Sequence, residues 1–236
     1  MNQAAAQSRS GAETPDALRE YAESLSRDSD GRPMRDAMKS FLTTLLAPME
    51  RYRARRLARS LSPLRLHQGC AGNHLEGWVN LDLYRPGRRL ELRWDLRRGI
   101  PFEASTVDAI FSEHLLEHLS VASTLRLLHE SYRVLRPSGT LRIGVPDLER
   151  YVNAYLGDDP LIGLVRSGRP TVGLAFTEPF FLHGHRSMYD FETLALLLRD
   201  AGFGLVERSR HGQSRISPVP DSQSREAETL YVEAVK

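Results

Sequence analysis

The 236-residue sequence holds a single cysteine, Cys70, which excludes an intramolecular disulfide framework and a cysteine-based zinc ribbon. It has no apolar run near the ~18 residues that a membrane-spanning helix needs; its longest apolar stretches are short pieces such as Leu194–Leu198. Net charge is almost absent. Thirty-two Lys and Arg against 30 Asp and Glu leave +2, too little to imply a nucleic-acid partner. The opening residues, MNQAAAQSRSGAETPD, lack a basic-then-apolar signal segment, so the expected location is cytoplasmic. Internal repeats are also missing. What is present is ordinary for a globular chain: 41% hydrophobic and 26% charged residues, in a length that suits one domain with extensions.

Residues 1–32, rich in Ala, Ser, Asp and Gly, show no sustained apolar period and read as a flexible tail. Residues 33–62 read as a helical extension. Met34, Met38, Phe41, Leu42, Leu45 and Leu46 recur at helical spacing, and Ser62-Pro63 ends the pattern. Arg51, Arg53, Arg55, Arg56 and Arg59 crowd its last turns. They form either a patch for an anionic membrane surface or phosphate-bearing substrate, or a solvated helix face.

From residue 63 to 236 short strand-like and helix-like segments alternate. Strands are expected at Leu64–Gly69, Trp78–Leu83, Leu90–Leu96, Val107–Ser112 and Thr140–Val145, with a helix over Leu115–Leu135. Residues 147–189 are broken by Gly and Pro and read as an irregular, substrate-covering segment. A helix capped by Asp190 should run to Ala201, followed by strands at Phe203–Arg210 and Thr229–Val235 joined by a Ser/Pro-rich loop. Such alternation predicts an α/β fold with a doubly wound parallel sheet, and the directly connected closing pair should be antiparallel.

The chemistry concentrates in Leu66-His67-Gln68-Gly69-Cys70-Ala71-Gly72 followed by Trp78-Val79-Asn80-Leu81-Asp82. Glycine at the carboxyl end of a strand lets a ligand lie against bare backbone, and an acid at the end of the next strand can accept from ribose hydroxyls. The dinucleotide fingerprint G-x-G-x-x-G is missing, and Asp82 follows Gly69 by only thirteen positions against roughly 20 in that fingerprint, which argues against NAD.

Four blocks, LHQGCAGNHLEGWVNLDL (66–83), WDLRRGIPFEASTVDAIFSEHLLEHL (94–119), LHESYRVLRPSGTLRIGVPDLERY (128–151) and YDFETLALLLRDAGF (189–203), appear in the order seen in class I S-adenosylmethionine-dependent methyltransferases, and the sequence resembles their type 11 branch. The resemblance implies a Rossmann-like seven-stranded sheet with an antiparallel last strand. It implies S-adenosylmethionine as cofactor, with Gly69, Cys70, Ala71 and Gly72 along its methionine and ribose portion, Asp82 and Leu83 at the ribose, and Asp95 and Leu96 at the adenine. Ser112, Glu113 and His114 would border the sulfonium and the acceptor. Ala71 departs from the family pattern, which has glycine there. Relatives with this motif set often accompany saccharide or cell-envelope biosynthesis, so the implied acceptor is a small-molecule hydroxyl or nitrogen nucleophile.

A second histidine-rich stretch, Phe180 to Tyr189, supplies further candidates. His183, His185 or His114 could take a proton from a hydroxyl, because imidazole titrates near neutral pH. Arg186 could hold an anionic group, with Tyr155 and Tyr189 as pocket walls. No metal ligands are assigned. The rival is His114-Leu115-Leu116-Glu117-His118, which fits the inverted zinc-hydrolase pattern H-x-x-E-H, would place both histidines on one helix face, and needs a third downstream ligand, nominally Glu130, His183, His185 or Glu192. A non-catalytic, methyltransferase-like binding module is the other alternative.

Overall fold

The computed structural model describes residues 32–83 and 89–236; the expected tail lies almost wholly outside them. Seven strands form one sheet: β1 (Arg65–Gln68), β2 (Val79–Asp82), β3 (Leu92–Arg93), β4 (Val107–Glu113), β5 (Leu135–Pro146), β6 (Leu205–Ser209) and β7 (Thr229–Val235). Their spatial order is β3-β2-β1-β4-β5-β7-β6. β1 to β5 run parallel, and β7 lies antiparallel between β5 and β6. Leu66, Val79, Leu81, Ile110, Leu141, Ile143 and Val232 are buried, as expected of central strands covered on both faces.

The order reverses between β1 and β4, which sit side by side with crossovers leaving in opposite directions. Such a switch point opens a crevice beyond the carboxyl ends of the strands. Gly69 to Gly72 and Glu113 to His118 leave the sheet at this point.

The helices are α1 (Arg32–Ser60), α2 (Val121–Val134), α3 (Leu148–Leu156), α4 (Leu161–Val165), α5 (Val172–Phe181) and α6 (Phe191–Asp200). Asp190 caps α6 as expected, its carboxylate accepting from the amide of Thr193 at 2.8 Å. Three expectations are corrected. The helix read over Leu115–Leu135 is instead a 3₁₀ turn, Leu116–His118, and then α2, which starts at Val121 because Ser120 caps it. The third strand shrinks to Leu92–Arg93, because Asp95 turns to cap a 3₁₀ turn at Leu96–Arg98. Residues 147–189 are not irregular. They hold α3 to α5, whose Tyr151, Ala154, Leu161, Ile162 and Ala175 make a second small core. Asp147 caps α3, and Gly157, in a left-handed conformation, ends it.

The helical extension forms, but its apolar stripe does not face the sheet. Thr43, Ala47, Glu50 and Ala54 are buried, whereas Met38, Phe41, Leu45, Met49 and Tyr52 are exposed. Glu50 fixes this orientation. Its carboxylate, wholly buried, accepts from the amide of Arg93 at 3.1 Å and pairs with Arg53, so the polar side must point inward. Arg51 packs over the Trp94 ring. Among the described residues no helix is long and apolar enough to cross a membrane.

Candidate active site

A cleft of about 830 Å³ opens at the switch point. One wall is the β1 loop, from which Gly69, Cys70, Ala71 and Gly72 all line the cleft. The loop turns sharply, with Gly69 at φ +63° and Ala71 at φ +46°. A side chain at Gly69 would place Cβ 2.7 Å from Leu115 Cδ1, so the close approach of the two loops requires glycine. Asp82, at the tip of β2, accepts from the amide of Ala71 at 2.8 Å and from that of Leu83 at 2.7 Å. Its buried carboxylate therefore fixes the β1 loop.

The opposite wall is built by the 3₁₀ turn after β4 and by the segment after α5. Glu113, His114, Glu117, His118, His183 and His185 line it. His114, at φ +51°, has Nε2 2.9 Å from Thr229 Oγ1 and Nδ1 3.2 Å from Glu117 Oε1. The Thr229 hydroxyl donates to the carbonyl of Arg225, so it accepts from His114. Both ring nitrogens of His114 are thus committed within the protein. Glu113 accepts from the Tyr231 hydroxyl at 2.8 Å and from the amide of Ser222 at 3.1 Å.

Glu117 is wholly buried, and neither carboxylate oxygen has a well-aligned hydrogen-bond donor. Burial alone would raise its pKa, but the neighbouring His114 and His118 hold it below the usual carboxylate range. Burial pushes His118 down, helped by His185 and His183 and opposed by Glu117. The rings of His118 and His185 meet edge-to-face with centroids 4.7 Å apart. His185 Nδ1 meets the carbonyl of Pro179 at 2.5 Å. The 3₁₀ turn is docked to the second histidine segment through the backbone, since the amide of Arg186 donates to the carbonyl of Glu117 at 2.7 Å.

The H-x-x-E-H string does not form the expected helix face. His114 has a left-handed backbone and the turn behind it is 3₁₀, so His114 and His118 are not stacked one α-turn apart. The side chains that converge are Glu117, His118 and His185.

Other candidates stand apart from this cluster. Asp95 does not line the cleft. It forms a two-pronged pair with Arg97 at 2.8 and 2.7 Å and accepts from Ser40 Oγ on α1 at 2.8 Å. Leu96 and Ser112 are buried. Tyr155 is about half exposed and stacks on Phe176. Arg186 points to solvent, and Tyr189 lies in the core, its hydroxyl 3.0 Å from Thr124 Oγ1.

One wall was not foreseen. Pro220, Asp221, Ser222, Gln223, Ser224 and Arg225, read from sequence only as loop, close the cleft beside β7. Arg142 holds them there. This guanidinium is wholly buried and binds both carboxylate oxygens of Asp221. A lone arginine inside the otherwise apolar strand Thr140–Val145 was the available signal, since a buried charge requires partners.

Residues 87–143 match the family model described as a methyltransferase domain, about a quarter of the chain. No curated protein matches the sequence. Among solved structures, an S-adenosylmethionine-dependent methyltransferase from Archaeoglobus fulgidus is 16% identical, with 84% of this chain and 94% of that one covered at a TM-score of 0.47. A Burkholderia thailandensis 1,6-didemethyltoxoflavin-N1-methyltransferase, solved with 1,6-didemethyltoxoflavin and S-adenosylhomocysteine, is 18% identical, covering 97% and 93% at 0.44. An S-adenosylmethionine-dependent methyltransferase from Mesorhizobium loti is 16% identical, covering 73% and 90% at 0.46. The chain carries a methyltransferase-domain segment on a seven-stranded, Rossmann-like sheet, consistent with a class I, type 11 methyltransferase.

Proposed function

We propose that the protein is an enzyme that transfers a methyl group from S-adenosylmethionine to an oxygen or nitrogen nucleophile of a small molecule. The observation that carries this reading is the facing of two walls at the switch point: the tightly turned Gly69–Gly72 loop anchored by Asp82, and the Glu117–His118–His185 cluster. The residues fit the cofactor. The loop presents backbone to the cleft, Asp82 stands behind it bound to the Ala71 amide, at the strand end where an acid can meet a ribose, and ~830 Å³ lies within the ~300–1,000 Å³ usual for small-ligand sites. Asp95 spends its side chain on Arg97 and Ser40, so an adenine near Leu96 would meet backbone there.

Bound S-adenosylmethionine supplies a methyl carbon already activated by its sulfonium. The protein's task is then alignment, and holding nucleophile, methyl and sulfur in line can contribute ~7–11 kcal/mol. The polar lining, with Arg166, Arg225, Glu228 and the histidines, suits a hydroxyl-rich acceptor such as a saccharide or cell-envelope precursor. Of the base candidates, His183 is exposed beside the cleft and His185 keeps one ring nitrogen uncommitted by Pro179, whereas both nitrogens of His114 are engaged. The Arg51–Arg59 cluster, largely exposed, would serve peripheral contact with an anionic surface.

Calorimetric titration with S-adenosylmethionine, S-adenosylhomocysteine and NAD tests the reading. Binding of both sulfur compounds at one site, lost in Asp82→Ala, is expected. Absence of binding would leave the non-catalytic module, a reading that Ala71, with its strained φ at a family glycine position, favours.

A further inference from the structure

Glu117, His118 and His185 each offer one ligand atom, and these atoms lie within 4.8 Å of one another. We propose that they form a site for a single zinc-like divalent ion, with an open coordination position facing the cleft. Two nitrogens and one carboxylate oxygen are the donor set of an open, catalytic type of zinc site, in which three protein ligands leave the fourth position to water or substrate. Mixed imidazole and carboxylate donors also fit other first-row divalent ions better than the all-oxygen shells of calcium or magnesium.

The buried state of Glu117 is the second, independent observation. Its carboxylate is 0% exposed with no well-aligned donor on either oxygen, yet the contact from His114 Nδ1 at 3.2 Å and the nearby His118 keep it in the charged form, so a buried anion with open acceptor sites stands beside two imidazoles. A cation held between Glu117, His118 and His185 gives those carboxylate oxygens a partner. The imidazoles are prepared for it. His185 uses Nδ1 on the carbonyl of Pro179, which leaves Nε2 for an ion, and His118 has a hydrogen bond to the backbone of His183. Outer hydrogen bonds of this kind fix the tautomer and aim of metal-binding histidines. His114, between Glu117 and Thr229, orients the carboxylate from behind.

The arrangement also explains the chain connectivity at this point. His118 comes from the turn after β4 and His185 from the segment after α5, and the amides of Arg186 and Ser187 both donate to the carbonyl of Glu117. The backbone therefore clamps together the two segments that carry the ligands. Resting on the proposed methyl transfer, the open position is assigned to an acceptor oxygen. A bound cation lowers the pKa of a coordinated hydroxyl, so its proton passes to cleft water before the oxygen takes the methyl from sulfur and S-adenosylhomocysteine leaves; His185, as a ligand, is then not the base. Metal binding itself does not depend on that reading.

The test is titration of the metal-stripped full chain with Zn²⁺ and, separately, Co²⁺, with elemental analysis of the purified protein. One equivalent of zinc and the intense visible bands of tetrahedral cobalt are expected. His118→Ala and His185→Ala should each weaken binding by more than the ~10–100-fold that losing an outer partner costs. His185→Ala alters a partly exposed loop residue, so its fold can be checked by an unchanged melting transition. No stoichiometric binding, or equal binding by wild type and both variants, overturns the site. S-adenosylhomocysteine titrated into metal-free and loaded protein separates the two readings. Nucleoside binding without metal binding sinks only the metal site, and metal binding without nucleoside binding sinks only the methyl-donor assignment.

Discussion

Arg142 Nε and Nη2 each reach one carboxylate oxygen of Asp221 at 2.6 Å, a two-pronged pair with both side chains almost fully out of water. Nη1 adds Glu233 Oε1 at 3.0 Å and the carbonyl of Gln213, and Nη2 adds that of Arg210. One strand residue thus gathers the 210–221 loop onto β5 and β7 and sets the cleft wall. Burial would lower the arginine pKa, but Asp221 and Glu233 reverse this and hold it above its ordinary value. Arg142→Leu leaves buried Asp221 without its cation and Glu233 with only Arg215, whose Nε lies 3.9 Å away. The expected loss is about 3–5 kcal/mol, read as a lower urea midpoint, and surviving folded protein should bind ligand in the cleft more weakly.

His67 gives a pH signature. It is 2% exposed, lies against Phe111, and has Nδ1 3.0 Å from Asn80 Oδ1. An amide oxygen only accepts, and this one also takes the amide of Leu75, so Nδ1 of His67 is the donor. Burial, with a smaller push from His74 and against the Asn80 hydrogen bond, lowers its pKa from 6.5 to about 4. Between those values the unfolded chain binds the extra proton and the folded chain does not. Stability therefore rises with pH across this window, and this group's contribution is fully lost once pH falls below about 4. The span corresponds to about 3 kcal/mol. Urea unfolding of wild type and His67→Phe at pH 7.5 and pH 5 measures it; the variant should lose distinctly less stability on acidification.

The sheet was readable because buried parallel strands are short apolar runs with punctuated ends. Val107–Glu113 and Thr229–Val235 stand where their apolar residues put them. What failed was boundary chemistry. The leucines from Leu115 to Leu135 keep a helical period through Ser120, so periodicity alone hid the cap that restarts the helix. In 147–189, Gly and Pro read as irregularity but separate three short helices. On α1 the apolar stripe was real but its direction was set by Glu50, a single buried carboxylate. The site divides the same way. Gly69–Gly72 and Asp82 are local and legible, whereas choosing His185 from several distant candidates needs a contact between positions 118 and 185, 67 apart, that no local pattern encodes.

Tyr189 was expected at the pocket and serves as a pin instead. Its hydroxyl stands 3.0 Å from Thr124 Oγ1 and accepts from Ser187 Oγ at 2.9 Å, tying the histidine segment to α2. Tyr189→Phe keeps the buried ring and removes these bonds, so about 1 kcal/mol of stability should be lost, measured by denaturant unfolding. Cofactor affinity should hardly change, because no cofactor contact is assigned to this ring. A large drop in affinity would return Tyr189 to the pocket.

Two neighbouring positions in the β1 loop should respond to substitution with opposite signs. Gly69 and Ala71 both have positive φ, +63° and +46°, a region that costs a residue with Cβ roughly 1–2 kcal/mol. Ala71 already bears that cost. Ala71→Gly removes it but gives the unfolded chain more freedom, worth about 0.5–1 kcal/mol the other way, so the variant should be more stable by about 0.5 kcal/mol. The amide that Ala71 donates to Asp82 at 2.8 Å is kept, and S-adenosylhomocysteine affinity should be equal or better. Gly69→Ala acquires the same strain and also drives Cβ to 2.7 Å from Leu115 Cδ1. The Leu115 side chain must then swing aside. Thermal unfolding and nucleoside titration of the two variants side by side decide the matter. Destabilisation by Ala71→Gly would mean that the alanine methyl makes a packing contact outweighing its backbone strain.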